Sequence, residues 1–381
     1  MDPLLSYRDR FPILESCTYL VSHSLGAMPA AAEERLHDYA TLWRTRGVRA
    51  WEEGWWEMPV EFGNLVAKVI GAAPGTVTMH QNTSLATAVI LSCFEFEAPR
   101  TKVILEDLEF PSVQYVYEAA RRRGAEIVRI PSDDGGVSCS MEKLLAAIDE
   151  RTLLVPLSLV LFRTATVQDA AAVIRKAHSV GALVVLDCYQ ATGTVPFDVR
   201  SLDADFAVGG SVKWVCGGPG AAYLYVSPKL AGKLEPSITG WMADEHPFDF
   251  HVGPVRYRKD AWRFLNGTPS VPALYAAEAG WKIVAEIGVG TIREKSLRQT
   301  ARLIEGARAA GFEVKSPLEP ARRGGTVAID VPDGKRVCDE LVRREILVDH
   351  RPGAGIRVAP HFYTRDEEID VFLKELRAVA K

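Results

Sequence analysis

The sequence predicts an α/β protein with a mostly parallel central sheet flanked by helices, followed by a smaller α+β C-terminal domain. Three observations predict it. From about residue 60 to 230, short apolar segments alternate with amphipathic helical ones, the pattern of strands joined by helical crossovers. Within that stretch Ala182–Leu186 is apolar without interruption, as a parallel strand covered on both faces must be. Past residue 270 the alternation gives way to two long helical stretches and then short strands.

In order along the chain, Val60–Ile70 reads as an amphipathic helix stopped by Gly71, and Thr76–Met79 as a strand ending in the polar turn His80–Asn82. A helix over Ser84–Cys93, a strand over Lys102–Leu105 and a helix over Val113–Arg123, ended by Gly124, follow. Glu126–Ile130 is a strand, Met141–Ala147 a helix, Thr152–Leu161 a strand and Ala170–Ser179 a helix ending before Gly181. The later helices are Ala273–Ile287, Gly290–Ala310 and Glu367–Ala380, with strands at Gly325–Val331, Leu347–Asp349 and Ile356–Ala359; the Pro/Gly-rich stretch 316–325 is a loop within this region. The expected organisation is an N-terminal segment over 1–50, packing on the small domain or the mouth of a site, a large domain over 51–265 and a small one over 266–381.

Composition narrows the function. The 381 residues are 48% hydrophobic and 25% charged, with a net charge of -4, an ordinary globular balance. No basic stripe marks a nucleic-acid surface, and no apolar run approaches the ~18 residues of a membrane span. The opening Met1-Asp2-Pro3-Leu4-Leu5 lacks the basic and long apolar parts of a signal peptide. Cys17, Cys93, Cys139, Cys188, Cys216 and Cys338 are scattered, without CxxC or zinc-ligand spacing, and read as reduced thiols of a cytoplasmic protein that holds no metal.

Ligands of parallel sheets sit at the carboxyl ends of the strands, which draws attention to Thr83, Phe162–Thr164 and Asp187. Lys213 stands among small and apolar residues between Gly209-Gly210 and Gly217-Gly218-Pro219-Gly220. Desolvation there lowers an amine's pKa, which suits a Schiff-base lysine, although a lysine snorkelling from a hairpin has the same pattern. Asp187 ends a fully apolar strand; a buried carboxylate needs a partner, either a protonated cofactor nitrogen or the following turn. The segment His80-Gln81-Asn82-Thr83-Ser84 opens a helix with hydroxyls and free N–H groups, which suit a phosphate or form a plain cap.

Taken in this order, these features resemble a fold-type I enzyme using pyridoxal 5′-phosphate, in the class V aminotransferase branch, and within it the kynureninase family. The resemblance spans about Tyr19 to Tyr363. Tyr19-Leu20-Val21-Ser22-His23-Ser24-Leu25-Gly26 is similar to the family's YLDGNSLG segment, and Phe110-Pro111-Ser112 to FP(S/T)D. Lys213 with the Gly217–Gly220 turn, Gly240-Trp241, the run Arg263–Pro269, and Asp349-His350-Arg351-Pro352 with Ile356–Pro360 resemble the family's remaining segments. Val113 stands where many kynureninases carry Asp, Val212 where they carry Tyr, Gln190 where they carry His, and His23 in place of the Asn of NSLG. These departures leave the cofactor residues intact and bear on the substrate.

The resemblance implies that Lys213 binds the cofactor covalently and moves protons, and that Asp187 pairs with the pyridine nitrogen. It implies Gln190 near the ring hydroxyl, Phe110 stacked on the ring, and Thr83, Ser84 and Ser211 on the phosphate. Trp241 and Thr268 would reach the phosphate across a homodimer interface, and Arg357 would take the substrate α-carboxylate beside His23. The implied activity is hydrolysis of kynurenine-type amino acids to alanine and an anthranilate; the alternative is another class V reaction, by an aminotransferase, epimerase or C–S lyase. Trp51, Trp55 and Trp56 read as packing and Arg121-Arg122-Arg123 as a solvated helix end. His361 fits a site wall or a structural place equally, and Cys338 lies in a helical pattern, unlike the loop cysteine of a desulfurase.

Overall fold

The computed structural model describes residues 2–380; Met1 and Lys381, which end the ranges given above, lie outside the described residues. Elements run β1 (Thr18–Tyr19), α1 (Ala30–Arg46), α2 (Met58–Ile70), β2 (Val77–His80), α3 (Thr83–Leu91), β3 (Lys102–Glu106), α4 (Pro111–Ala119) and β4 (Glu126–Ile130). Then come α5 (Met141–Ala147), β5 (Thr152–Ser158), α6 (Ala170–Ser179), β6 (Leu183–Asp187), β7 (Phe206–Gly210), β8 (Ala222–Val226) and α7 (Pro228–Ala231). The rest is α8 (Val271–Ile287), α9 (Val289–Ala309), β9 (Glu313–Val314), β10 (Val327–Asp330), α10 (Gly334–Arg343), β11 (Ile346–Leu347), β12 (Asp349–Arg351), β13 (Gly355–Val358) and α11 (Asp366–Val379).

Seven strands form one sheet in the order β2-β8-β7-β6-β5-β3-β4. The pairs from β7 to β4 are all parallel, and β8 alone runs antiparallel to both its neighbours. The α/β fold with a mostly parallel sheet is therefore as the alternation predicts. The apolar run at β6 explains itself: Val184 and Leu186 enter one core cluster, and Val185 the cluster on the opposite face. Each such side chain contributes roughly 1.5–3 kcal/mol on burial. Helix α2 buries Val60, Phe62, Val66, Ala67 and Ile70 and stops where Gly71 takes φ +72°.

Beyond α9 a second, antiparallel sheet has the order β12-β13-β10-β9, covered by α10 and α11 around Ile356, Val358, Leu341 and Phe372. The N-terminal segment joins it: β1 pairs in parallel with β11, and Leu20 sits in that sheet's core. Helix α1 lies on α8, tied by Arg35 Nε to Glu278 Oε2 at 2.6 Å.

Several boundaries differ from the pattern. Strand β5 stops at Ser158 instead of Leu161, because Leu159 and Leu161 stay buried after the chain has left the ladder, so the apolar run outlasts the pairing. The run Leu347–Asp349 is split: Ile346–Leu347 pairs with β1, while Asp349–Arg351 turns to pair with β13. Helix α4 begins at Pro111 and tightens to a 3-10 turn over Ala120–Arg123. Helix α1 goes unseen in the sequence because only Ala32 is buried along it, which leaves no apolar stripe. Among the described residues no helix is long and apolar enough to cross a membrane.

Candidate active site

The carboxyl ends of the parallel strands converge on one cavity. From β2 the chain enters α3 at Thr83, from β3 it reaches Phe110, β5 ends at Ser158, β6 at Asp187, and β7 leads to Lys213. Close approaches fix this edge. A side chain at Gly210 would come 2.5 Å from the Tyr189 hydroxyl. Gly26 donates its N–H to Val212 O at 2.8 Å, and a Cβ there would stand 2.1 Å from Lys213 O, so the N-terminal segment locks the lysine turn only if residue 26 is glycine.

The cavity has a volume of about 270 Å³, and Thr83, Ser84, Phe110, Asp187, Gln190 and Lys213 all line it. Val113, Val160, Phe162 and Val212 supply an apolar wall. Lys213 Nζ lies 4.5 Å from the Tyr189 ring centroid and 5.6 Å from that of Phe110, with no carboxylate or carbonyl bonded to it among the described residues. Burial pulls its pKa down to about 8; Asp187 opposes that shift and Arg357 adds to it. Burial also raises the Asp187 carboxyl, against the Tyr189 N–H and the Lys213 charge. Tyr189 N–H donates to Asp187 Oδ1 at 2.8 Å, which leaves Oδ2 for a ligand.

Gln190 is held at both ends. Trp214 Nε1 can only donate, so the atom it meets at 3.0 Å is the amide oxygen; Gln190 Nε2 donates to His23 O at 3.1 Å and keeps one N–H over. At α3, Asn82 Oδ1 caps Leu85 N–H at 2.9 Å, and the N–H groups of Thr83 and Ser84, in the first turn, have no helical partner. Phe110 is half-exposed to the cavity and meets Phe162 edge-on at 5.1 Å.

Arg357 is buried on β13, on the face opposite Ile356 and Val358. Its Nε and Nη2 donate to Asp349 Oδ1 and Oδ2 at 2.8 and 2.6 Å, and Nη1 donates to Phe162 O at 2.6 Å. Of five N–H groups, one on each terminal nitrogen remains unbonded, the pair that an end-on fork to a carboxylate would use. Burial works to raise the Asp349 carboxyl, but the bonds from His23 and Arg357 outweigh it and hold it well below the usual range. His23 is buried, its pKa pulled down to about 4 first by burial and then by Arg357, so the ring is neutral. It donates Nε2–H to Asp349 Oδ1 at 2.9 Å and is left with an unpartnered Nδ1.

Arg357 and His23 do not line the cavity themselves; they stand behind two residues that do, Arg357 bonded to Phe162 O and His23 to Gln190. Four further candidates fall elsewhere. Ser211 is fully buried behind the cavity, its hydroxyl donating to Ala221 O and accepting from Trp281 Nε1 at 2.7 and 2.8 Å. That hydroxyl has no hydrogen left for a phosphate. Trp241 and Thr268 are outside the cavity and exposed within the chain. His361 packs under Trp214, 2.6 Å from its carbonyl, and is structural. Trp55 stacks on Tyr39 at 5.3 Å, and Arg121, Arg122 and Arg123 are exposed. Cys338 is buried on α10, its thiol pushed up to about 11 by burial.

The sequence gives no sign of one further cluster beneath the cavity. Glu109 accepts from Ser158, and Gln168 bridges Ser158 to Glu106. Tertiary packing buries both glutamates of the run Glu106-Asp107-Leu108-Glu109, which no local pattern marks.

The aminotransferase class V family model matches residues 19–370. The kynureninase of Geobacillus thermodenitrificans is 30% identical over 386 residues, covering 97% of this chain and 89% of that one. The kynureninase of Pseudomonas fluorescens is 32% identical over 364 residues, covering 92% and 86%. Among solved structures, a cysteine desulfurase from Thermococcus onnurineus superposes with a TM-score of 0.87 at 21% identity, covering 98% of this chain and 97% of that one. The lyase C-DES, carrying glycine covalently linked to its PLP cofactor, gives 0.87 at 20% identity, covering 97% and 98%.

Proposed function

The chain belongs to the class V aminotransferase family, and from that premise we propose that it hydrolyses the Cβ–Cγ bond of kynurenine-type amino acids, yielding alanine and an anthranilate. It is a pyridoxal-phosphate-dependent enzyme, and its cavity fits that cofactor. Lys213 offers an amine without a bonding partner, Asp187 a free carboxylate oxygen, and α3 an N-terminus with unpaired N–H groups. When bound, the cofactor supplies the electron sink that acidifies the substrate's Cα proton.

The residues divide the remaining work. Lys213 would hold the cofactor and, as a free amine, take the substrate's Cα proton; a pKa of about 8 leaves a far larger neutral fraction at neutral pH than a solvated lysine has. Asp187 would keep the ring nitrogen protonated, and Phe110 and Tyr189 would confine the ring. The end-on fork of Arg357 takes the α-carboxylate. The apolar wall of Val113, Val160, Phe162 and Val212 seats an aryl group, and it is the observation that carries the substrate class. Water adds to the substrate's γ-carbonyl, the Cβ–Cγ bond breaks to release the aromatic acid, and the electron pair left on Cβ takes a proton to complete alanine. Anthranilate release from kynurenine by the cofactor-loaded protein is the expected result. No turnover of kynurenine or 3-hydroxykynurenine would sink the reading.

Gln190, shared with desulfurases and many aminotransferases, favours a second reading, a C–S lyase or aminotransferase at the same cofactor. Sulfide, pyruvate or a keto acid in an amino-acid screen would support it. The buried Cys338 thiol speaks against a persulfide-forming desulfurase.

The proposal includes a cytoplasmic homodimer. The cysteines are free thiols. Exposed Val48, Trp241, Phe248 and Phe250 border an apolar groove of about 550 Å³, a surface that a partner chain would cover. Trp241 and Thr268 would then complete the partner's phosphate site. Dilution to monomer is expected to weaken cofactor retention. A stable monomer in sedimentation that keeps its cofactor and full activity would rule out shared sites.

A further inference from the structure

We propose that Glu109 is a positioning residue for the base of the cavity: it grips Ser158 by both N–H and Oγ, and through Ser158 sets which hydrogen-bonding sense the end of β5 presents beside Asp187. The inference rests on pyridoxal phosphate being held at Lys213 and is independent of which amino acid is the substrate.

The geometry is local and buried. Glu109 is 3% exposed. Ser158 N–H donates to its Oε1 at 2.7 Å, and Ser158 Oγ lies in close contact with its Oε2. Ser158 lines the cavity and is the ladder partner of Asp187. On its other side, Ser158 O accepts from Gln168 Nε2 at 2.9 Å, and the same amide donates to Glu106 Oε2 at 2.6 Å. Glu106 is fully buried with Oε1 unpartnered, and Tyr117, on α4, has a buried hydroxyl without a partner.

The groups facing Glu109 are therefore Glu106 from β3, Asp187 from β6 and the Tyr117 hydroxyl from α4. No lysine or arginine pairs with Glu106 or Glu109 among the described residues. Two buried carboxyls so placed do not both ionise. Burial, then Glu106, push Glu109 up to about 8.

A protonated Glu109 donates its own O–H to Ser158 Oγ, which frees the serine hydrogen for the cavity. An ionised Glu109 draws that hydrogen inward, and Ser158 then presents only a lone pair. The carboxyl thus switches a neighbour of Asp187 between donor and acceptor without touching the ligand.

The test has two readouts, compared in wild type, Glu109→Gln and Ser158→Ala. The first is the pH dependence of thermal unfolding without cofactor. A carboxyl whose folded pKa lies above its unfolded value contributes stability at low pH and loses it as pH rises through the folded pKa. The wild-type midpoint is expected to fall through about pH 8, and Glu109→Gln to lose that fall. The second is the visible spectrum of the holoenzyme against pH. A spectral step in the same range is expected in wild type and is lost in both variants. Ser158→Ala keeps the thermal step, because Glu109 still titrates. Spectra of Glu109→Gln or Ser158→Ala that overlay wild type would overturn the proposal, as would a thermal profile of Glu109→Gln that matches wild type. A cofactor that fails to attach at Lys213 would defeat the functional reading instead, and the thermal comparison would still decide whether Glu109 titrates.

Discussion

Replacing Lys213 by alanine is expected to reduce turnover at least ~10³-fold while the protein stays folded. General acid–base catalysis alone contributes ~10²–10⁴, and the variant also loses the covalent link to the cofactor. The fold is expected to survive because Lys213 Nζ makes no hydrogen bond or ion pair among the described residues, so its removal strands no partner. Burial of the amine costs stability in the native state, which is why its pKa is drawn down to about 8. Single-turnover rates and a thermal melt check the two halves. A Lys213→Ala protein with more than about a tenth of wild-type turnover would contradict the role given to the amine.

Replacing Arg357 by alanine is expected to damage both stability and substrate binding. Three of its N–H groups bond Asp349 and Phe162 O, and the loss leaves the Asp349 carboxylate short of its main counter-charge. Breaking a buried pair from one side costs roughly 3–5 kcal/mol. Arg351, 3.0 Å away and half-exposed, recovers only part of that. The end-on fork also goes, so KM for the amino acid rises about 100-fold, the worth of a charge-assisted pair of bonds. Arg357→Lys is expected to restore part of the stability, since it returns the charge, but little of the affinity, since an ammonium cannot fork. Urea unfolding separates the two effects from kinetics. An alanine variant that is as stable as wild type would contradict the bidentate pairing.

The cavity was legible where a residue closes an apolar strand. Asp187 and Thr83 each follow a run of side chains that has to be buried, so the pattern alone marks the edge of the sheet where they meet, while Lys213 stood out by its apolar, glycine-flanked setting. Arg357 alternates with Ile356 and Val358 on a two-faced strand, a pattern that marks a face and not a role; the role came from the resemblance alone. Other features depend on packing between distant segments, which no local pattern carries. Asp349 pairs with Arg357 only because the chain folds back between β12 and β13, and so the arginine's commitment to a partner was invisible. Ser211 was a phosphate ligand by resemblance alone, but Trp281, seventy positions away, takes its oxygen. Glu109 carries no local signal, because its partner Ser158 reaches it from β5, forty-nine positions away. Helix α1 lacked an apolar stripe, and α8 holds it instead through Arg35 and Glu278.

Borohydride reduction of the holoenzyme, followed by peptide mass mapping, tests the assignment of the site most directly. Reduction fixes the cofactor on whichever lysine carries it. The expected result is one modified peptide, containing Lys213, whose amine sits unpaired at the edge of the cavity between Phe110 and Tyr189. Lys229 is bound at the surface to Asp203 at 2.5 Å, and Lys233 is exposed. A cofactor mass on either of these, with the Lys213 peptide unmodified, would contradict the site.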